Sequence, residues 1–423
     1  MRKLLLATAA SLSTLLAAAP AIAQPAKPVS PGTVLVHLNG YLQFMIGAVG
    51  GNGMSGGTGV TAYKNNTIGT MGDIRLYPGF DGMTTSGISY GAQVELRTAL
   101  SNANGAGVNG NGASSNGVNS LYVRRAYGYI GTEDYGYVRF GQGDGAFTLL
   151  QRGVVEAFGD GAQWAADGGL VNLLPSGKPG EFIYADQGAL YTTDKIVYVS
   201  PSIEEPVLDG KISAVVSYEP NSNGIKEGGA TISGNVSQLN DSIAGGSANR
   251  RRNTVDGMVD YSVKIAGFAT KMSGGYLHSS PLGNLTGAQA YSPMGVWQFG
   301  AQTTYTGLAT DSDTLTFGAN AKGGSVADGY GFKVKGGRDA LAYIVGAAYA
   351  NGPYALGATF FDSQSAAGVG AGKTRSEYGV AVGGNYVVAK PLSLFVQYLY
   401  GHTHVAATNT QAQAVAAGAT IKW

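Results

Sequence analysis

Bulky apolar residues and small or polar residues alternate along most of the chain. In YALGATF (354–360), Tyr, Leu, Ala and Phe occupy alternate positions, and Ala, Gly and Thr lie between them. LSLFVQYLY (392–400) and YGVAVGGNY (378–386) repeat the alternation. Successive side chains of a β-strand point to opposite faces. The pattern therefore predicts strands with a continuous apolar face on one side and a small or polar face on the other.

Sixteen segments carry this alternation, and helical periodicity is hard to find beyond the first residues. The segments are residues 36–49, 67–78, 87–99, 120–131, 135–143, 194–200, 210–219, 254–265, 267–278, 295–307, 313–323, 340–350, 353–362, 376–388, 391–401 and 413–423. An even number of strands of about ten residues each is typical of a bacterial outer-membrane barrel. The sequence therefore predicts an all-β fold, a 16-stranded antiparallel transmembrane β-barrel surrounded by outer-membrane lipid.

The links between the segments alternate between short and long. Short links include Ala266, Asn351–Gly352 and Ala389–Lys390, whereas loops rich in Gly, Asn and Ser cover residues 101–119 and 220–252. Short turns on one rim and long loops on the other are expected when only one rim faces the exterior. This sorting favours a barrel over a β-sandwich or a propeller. It also predicts that Arg251 lies in an exterior loop.

The first 23 residues have the features of a cleaved secretory signal. A basic start is followed by an apolar run over residues 4–18 and by a small-x-small site at residues 21–23. The rest of the chain has no stretch of about 18 apolar residues that would predict a transmembrane helix. We therefore expect a signal peptide at 1–23, a single barrel domain at 24–423, and export through the inner membrane to the outer membrane.

The composition agrees with a barrel and argues against several other classes. Charged residues make up 13% of the chain and glycine occurs 68 times, whereas charged residues are about 25% of average soluble proteins. There are 27 basic and 26 acidic residues, so the loss of Arg2 and Lys3 with the leader would leave a net charge of about −1. Nucleic acid is therefore not an expected partner. The absence of cysteine excludes disulfides and thiolate metal sites.

Four successive predicted strands each place an arginine opposite their bulky apolar neighbours, and therefore in the lumen. These residues are Arg75, Arg97, Arg124 and Arg139. The assignment of Arg124 puts Val123, Tyr127 and Tyr129 on the lipid face. Arg125 then has lipid parity too, and we expect it near the interface or at a subunit contact. A charge costs about 0–1 kcal/mol near the interface, against about 2–4 kcal/mol at the midplane.

Several segments resemble the general porins of Gram-negative outer membranes, particularly those of alphaproteobacteria. The resemblance rests on SYGAQVELR (89–97), RRAYGYIGTEDYGYVRFGQGDGA (124–146), KIVYVSPSI (195–203), ISAVVSYEP (212–220) and the terminal GATIKW (418–423). It implies a water-filled channel for passive diffusion of small hydrophilic solutes and ions, assembled as a homotrimer. Small outward residues such as Ala417 and Ala419 are candidate trimer contacts.

The resemblance also implies that the loop after the fifth strand folds inward and narrows the lumen. Here that loop runs from about residue 144 to residue 193, and its acids would face the arginines across a constriction. The acids are Asp144, Glu156, Asp160 and Asp167. Three alternate residues at the C-terminus resemble the signal that the barrel-insertion machinery reads. They are Ala419, Ile421 and Trp423.

The sequence alone leaves two other barrel functions open. One is a selective channel for sugars or anions, and the other is a structural or adhesive barrel. A sugar channel should show an aromatic stripe along the lumen. The predicted inward aromatics are scattered over distant strands instead, which favours a general porin. They are Tyr41, Tyr77, Tyr137, Phe361 and Phe395.

An enzyme is not expected from the motifs present. GQGDG (141–145) lacks the spacing of a dinucleotide-binding loop and no amphipathic helix follows it. The histidines lie near strand or loop ends without a nucleophile motif beside them. His402 and His404 lack the further ligands that a closed metal site needs. We therefore expect no metal and no cofactor.

Overall fold

The computed structural model describes residues 29–56, 62–99, 121–161, 164, 169–174, 193–221, 251–281, 291–327, 330–366 and 374–423. The predicted leader at 1–23 and the predicted site residue Asp167 lie outside these ranges. Among the described residues, no helix is long and apolar enough to cross a membrane.

Sixteen antiparallel strands make up the barrel in the described part of the chain. The first eight are β1 Val34–Gly51, β2 Ile68–Met83, β3 Ser89–Ala99, β4 Tyr122–Thr132, β5 Gly136–Gln142, β6 Asp194–Val199 continuing as Ile203–Glu205, β7 Gly210–Asn221 and β8 Arg251–Ile265. The other eight are β9 Phe268–Pro281, β10 Met294–Thr306, β11 Thr314–Ser325, β12 Ala340–Asn351, β13 Tyr354–Ala366, β14 Thr374–Ala389, β15 Leu392–Val405 and β16 Thr408–Lys422.

The two parts of β6 form one barrel strand. Both pair with β7, the first part through Tyr198↔Val216 and the second part through Glu204↔Lys211. Pro201 lies between the two parts, and a proline cannot donate a hydrogen bond to the neighbouring strand. The break therefore marks an interruption in one ladder and not an additional strand.

Each strand pairs with its neighbour in sequence, and β16 pairs back onto β1. The seam runs from Tyr41↔Lys422 to Gly51↔Ala412 without a register shift. Closure removes every sheet edge, which a lipid environment requires because it offers no partners for free backbone groups. The predicted 16-stranded antiparallel barrel is confirmed.

The rims differ as predicted. Tight links join β8 to β9 and β14 to β15, whereas the loops after β3, β5 and β7 are long. Ala266 and Gly267 both have positive φ, of 50° and 86°, as two-residue hairpin turns that match strand twist require. One exception lies on the long-loop rim, where only Ala406 and Ala407 separate β15 from β16.

The alternation separates a lipid face from a lumen face. On β13, Leu356 is 63% exposed on the outside, and its neighbour Ala355 is 2% exposed on the inside. On β15, Val396 is 54% exposed and Gln397 is 1% exposed. A cluster of buried apolar residues accordingly lies inside the barrel, where chain segments that fold into the lumen cover the inner wall.

Candidate pore constriction

One side of the lumen carries a group of arginines on β2, β3, β4 and β5. We call it the arginine wall, and it comprises Arg75, Arg97, Arg124, Arg125 and Arg139. On β2, Arg75 Nε donates to Asp73 at 2.5 Å, and its guanidinium lies 4.8 Å from the ring centre of Tyr41 on β1. Arg75 and Arg97 are direct cross-strand partners. The wall is therefore continuous from β2 to β3.

Glu95 on β3 connects three of these arginines. Its carboxylate pairs with Arg97 of the same strand, with Arg124 at 3.4 Å and with Arg125 at 2.5 Å. Glu95, Arg97 and Arg124 are all buried. A buried carboxylate needs compensating partners, and here one carboxylate is shared among three guanidinium groups, so the group retains positive charge.

Arg124 and Arg125 both face the lumen because a β-bulge interrupts the pairing of β3 with β4. The register runs from Glu95↔Arg125 to Leu96↔Val123, which leaves Arg124 as the additional residue. A bulge places two residues opposite one and shifts the alternation of faces. The predicted lipid parity of Arg125 was therefore wrong: Arg125 Nη2 donates to Asp144 at 2.9 Å inside the barrel.

The same bulge corrects the predicted outward position of two tyrosines. Tyr127 and Tyr129 are 7% and 8% exposed and lie inside, where their hydroxyls donate to Gln93 and Asp81. Val123, before the bulge, does lie outside with 51% exposure. The strand alternates regularly on each side of the bulge, and the additional residue reverses the faces of the residues that follow it.

Arg139 on β5 differs from the other members of the wall. Its guanidinium lies 4.1 Å from the ring centre of Tyr127, within the range of a cation–π contact. Within the described residues it has no carboxylate at salt-bridge distance, although it is 5% exposed. Its positive charge is therefore the least compensated of the wall.

The loop between β5 and β6 begins inside the barrel and packs on the strands beyond the arginine wall. Residues Ala146–Leu149 form one helical turn, α1, and all four are buried. Asp256 on β8 accepts a hydrogen bond from the Phe147 amide at 2.8 Å and another from Ser217 on β7. The carboxylate thus satisfies a backbone donor that the first turn of a helix leaves open.

Further along, the loop follows the inner wall from β8 to β15. Arg152 Nε donates to Asp260 at 2.6 Å, and Asn320 donates to the Arg152 carbonyl at 2.8 Å. Asn385 donates to the Gly159 carbonyl at 2.7 Å, and the Asp160 amide donates to Gln397 Oε1 at 2.7 Å. A short 3-10 turn at Leu170–Leu173 then contacts β16 and β2.

A row of inward glycines makes room for the loop. We call it the glycine track, and it comprises Gly300, Gly318, Gly346, Gly357, Gly379 and Gly383 on β10 to β14. A Cβ at Gly318 would lie 2.6 Å from Val155, and one at Gly379 would lie 2.6 Å from Trp164. A Cβ at Gly357 would overlap the ring of Phe158. These positions therefore require glycine for the loop to lie against the wall.

The two ends of the loop are held by one buried polar cluster on β6 to β8. Lys195 Nζ donates to the Gly143 carbonyl at 2.8 Å and to the Thr193 carbonyl at 2.9 Å. Glu219 accepts from Thr193 and lies 3.3 Å from Arg251. The prediction that Arg251 lies in an exterior loop was therefore wrong. It begins β8 and is 1% exposed.

The predicted loop acids do not form one array opposite the arginines. Asp144 belongs to the arginine wall itself through Arg125. Asp160 lies on the covered side, where its carboxylate accepts the Leu170 amide at 2.7 Å. Glu156 is half-buried, and Asp167 lies outside the described residues. Alternation assigns strand faces, but the course of an irregular loop depends on packing that it does not encode.

A second segment folds inward after β11, which the sequence interpretation missed. Val326, Tyr330 and Phe332 are buried against the inner wall, and Lys322 Nζ lies 3.3 Å from the Tyr330 hydroxyl. The alternation of Tyr330, Phe332 and Val334 with more polar residues was the available signal. Two inward segments, one after β5 and one after β11, therefore narrow the lumen.

The chain as a whole matches a known family. Residues 7–420 match the family described as Gram-negative porin. The chain belongs to the Gram-negative porin family. The predicted resemblance to Gram-negative porins is confirmed, and the protein is an outer-membrane porin, a channel for passive diffusion. No curated protein matches the chain at a significant level.

Solved porin structures share the fold of this porin. The anion-selective porin of Comamonas acidovorans aligns with a TM-score of 0.54 at 12% identity, over 92% of this chain and 100% of its own. The channel DcaP of Acinetobacter baumannii gives 0.54 at 13%, over 93% and 99%. Salmonella typhi OmpF in complex with daunomycin gives 0.52 at 13%, over 92% and 97%. At these identities the likeness shows the fold alone.

Proposed function

We propose that solutes cross this porin between the arginine wall and the inward loop segments at residues 143–161 and 169–174. The observation that carries the proposal is that the described loop segments pack on the wall from β7 to β16 and reach β2 at Leu170–Leu173, whereas β3 to β5 carry four of the five arginines. Charged side chains remain on the side that the described loop segments leave uncovered. An aqueous path is expected on that side, because a barrel of sixteen strands is too wide for wall side chains alone to fill.

The charge of this wall favours anions. Five guanidinium groups lie beside three carboxylates, Asp73, Glu95 and Asp144. Arg75 and Arg125 keep 15% of their side-chain surface exposed. Charges lining a narrow pore act on ions at close range, whereas charges on the outer rim are screened within about 8 Å at physiological salt. The net positive wall should therefore give a passive channel with a preference for anions.

A selective sugar channel fits the site less well. Two of the aromatics predicted to face the lumen, Phe361 and Phe395, are buried. Trp164 of the inward loop packs on Phe361 at 5.1 Å between ring centres. Tyr41 and Tyr127 lie beneath arginines. No stacking stripe for sugar rings runs through the described residues, and the proposal assigns the protein no catalytic activity and no cofactor.

Flux measurements in reconstituted vesicles separate the candidate functions. A diffusion porin should admit sugars at rates that fall with size and rise linearly with concentration. A flux that saturates would identify a selective channel instead. A purified, correctly folded barrel that conducts neither sugars nor salt would favour a structural or adhesive role.

We also propose a homotrimer that uses the outer face of β16, β1 and β2. Ala417 and Ala419 leave a shallow outer surface on β16, and flat apolar faces suit close packing of identical subunits. Ala417→Trp should reduce the trimer in native mass measurements. The matched control is Ala358→Trp, an exposed outward alanine on β13. If both variants remain trimeric, another face forms the contact.

Export and insertion complete the proposal. Residues 1–23 would direct export through the inner membrane, and Ala419, Ile421 and Trp423 would be read by the barrel-insertion machinery. Ile421 and Trp423 are exposed to the outside, as a recognition signal requires. Trp423→Ala should slow assembly in cells, measured as the fraction of heat-modifiable protein after a pulse of synthesis. An unchanged fraction would contradict this role.

A further inference from the structure

Three lysines face the lumen near the short-turn rim, away from the arginine wall. They are Lys211 on β7, Lys264 on β8 and Lys271 on β9, and all three are exposed. Lys264 lies four residues along β8 from the buried Asp260, and Lys271 lies two residues along β9 from the buried Ser273. Since alternate residues share a face, these lysines point into the lumen. Short turns mark the periplasmic rim of outer-membrane barrels.

The strand register gathers the three lysines around one serine. Ser262 pairs with Lys211 on one side and with Lys271 on the other, and Lys264 lies two residues further along β8. Neighbouring strands lie about 4.8 Å apart and residues two positions apart on a strand about 6.6 Å apart. The three Cα atoms therefore form a triangle with edges of about 8–10 Å, and flexible lysine side chains can reach a common point within it.

The charge of this group is only partly compensated. Lys211 Nζ lies 3.8 Å from Glu204 on β6. The nearby Asp260 is held by Arg152 at 2.6 Å. Among the described residues, neither Lys264 nor Lys271 has a carboxylate at salt-bridge distance. Three ammonium groups and a hydroxyl thus face the lumen with one carboxylate at their edge.

We propose that Lys211, Lys264 and Lys271 form a second anion site, at the periplasmic mouth, for small multivalent anions such as tricarboxylates or phosphorylated compounds. Lysine ammonium groups are hydrated, mobile point charges, so the site would concentrate anions without holding them tightly. The inference rests on the proposed function, because only an open lumen brings solutes to this position. The site is separate from the arginine wall. The two mouths of the channel would therefore attract multivalent anions to different extents.

The test is block of chloride current by citrate, added to each side of a planar bilayer in turn. In 0.1 M KCl, the variant with Lys264→Gln and Lys271→Gln should need at least about threefold more citrate for half block from the side where wild type is more sensitive. Lys264→Arg with Lys271→Arg should keep the block. Lys390→Gln, an exposed lysine in the β14–β15 turn, should behave like wild type. In 1 M KCl the difference should vanish.

Outcomes for this inference and for the proposed function are distinguishable. Equal citrate sensitivity of wild type and the glutamine variant, with normal conductance and heat-modifiable mobility in both, would overturn the lysine site alone. Citrate sensitivity that is the same from both sides of wild type would also overturn it. A wild-type protein that conducts no salt would overturn the proposed function as well.

Discussion

The two sides of this lumen are built from the same alternation and carry different residues. On β2 to β5 the inward positions hold the arginine wall, with Asp73 and Glu95 among it. On β10 to β14 the inward positions hold the glycine track, and loop residues 152–158 with Trp164 lie directly on it. The size of the inward side chains therefore decides which side receives the loop and which side is left for solutes.

The two sides also differ in what holds them together. On the glycine side, packing and backbone hydrogen bonds hold the loop, as at Phe158 on Gly357 and at the Arg152 carbonyl. On the arginine side, ion pairs around Glu95 hold long side chains against the wall. Substitutions that add bulk should therefore have their main effect on the side of the glycine track, and substitutions that change charge should have theirs on the side of the arginine wall.

The largest effect is expected from an added methyl group on the glycine track. Gly357→Ala would place a Cβ in overlap with Phe158, and overpacking of this kind costs about 1–3 kcal/mol. The heat-modifiable gel shift should occur at a lower temperature than in wild type. Gly257→Ala on β8 is the matched control, since its Cβ would meet Val216 at an ordinary 3.8 Å. Equal shifts in both variants would mean that the loop does not rest on this track.

A somewhat smaller effect is expected where the loop is anchored. Asp256→Ala removes the acceptor of the Phe147 amide, and an unsatisfied buried donor costs about 1–3 kcal/mol, with water entry reducing that cost. Single-channel currents should become noisier because the loop is less constrained. Asp256→Asn keeps an acceptor oxygen, so its current noise should be close to that of wild type. Asp311→Ala, in an exposed turn, should leave the noise unchanged. If Asp311→Ala is as noisy as Asp256→Ala, Asp256 does not anchor the loop.

The two sides meet near the β16–β1 seam, where a smaller effect is expected. The Trp423 ring covers Gly40, and the two residues exchange backbone hydrogen bonds at 2.9 and 3.1 Å. Gly40→Ala should displace the ring and reduce the yield of heat-modifiable barrel on refolding, at a cost of about 1 kcal/mol. Gly50→Ala lies on the same strand, and its Cβ would meet Gln413 at 3.7 Å. Gly50→Ala should therefore refold normally, and matching losses in both variants would contradict the seam interpretation.

Most of the fold could be predicted because alternation, turn residues and loop composition agree along the whole chain. The inward parity of Arg75, Arg97 and Arg139 followed from bulky neighbours on regular strands. Arg125 was assigned to the wrong face because a one-residue bulge shifts the alternation without a break in the apolar pattern. The two adjacent arginines were its only trace, since one of them would otherwise face lipid.

The loop course and its contacts could not be predicted from the strands. Asp144 was expected across the pore and instead pairs with Arg125, and Arg251 was expected outside and is buried against Glu219. These positions depend on contacts between residues far apart in sequence. The sequence shows 68 glycines, but the composition does not reveal which six of them face the same loop.

The smallest expected effects concern ion preference, where single charges act through water. Arg139→Gln removes the charge that is least compensated on the arginine wall, and should lower the chloride-to-potassium permeability ratio by about twofold. Glu95→Gln removes the carboxylate shared by three arginines and should raise the ratio. Lys390→Gln, on the periplasmic rim, should leave it unchanged because rim charges are screened.

The reversal potential in a KCl gradient tests the net positive arginine wall most directly. Heat-modifiable mobility must first show that each variant is folded. We expect a chloride preference in wild type, a smaller preference in Arg139→Gln and a larger one in Glu95→Gln. A wild-type channel that prefers potassium, or two variants that shift the reversal potential in the same direction, would contradict this expectation.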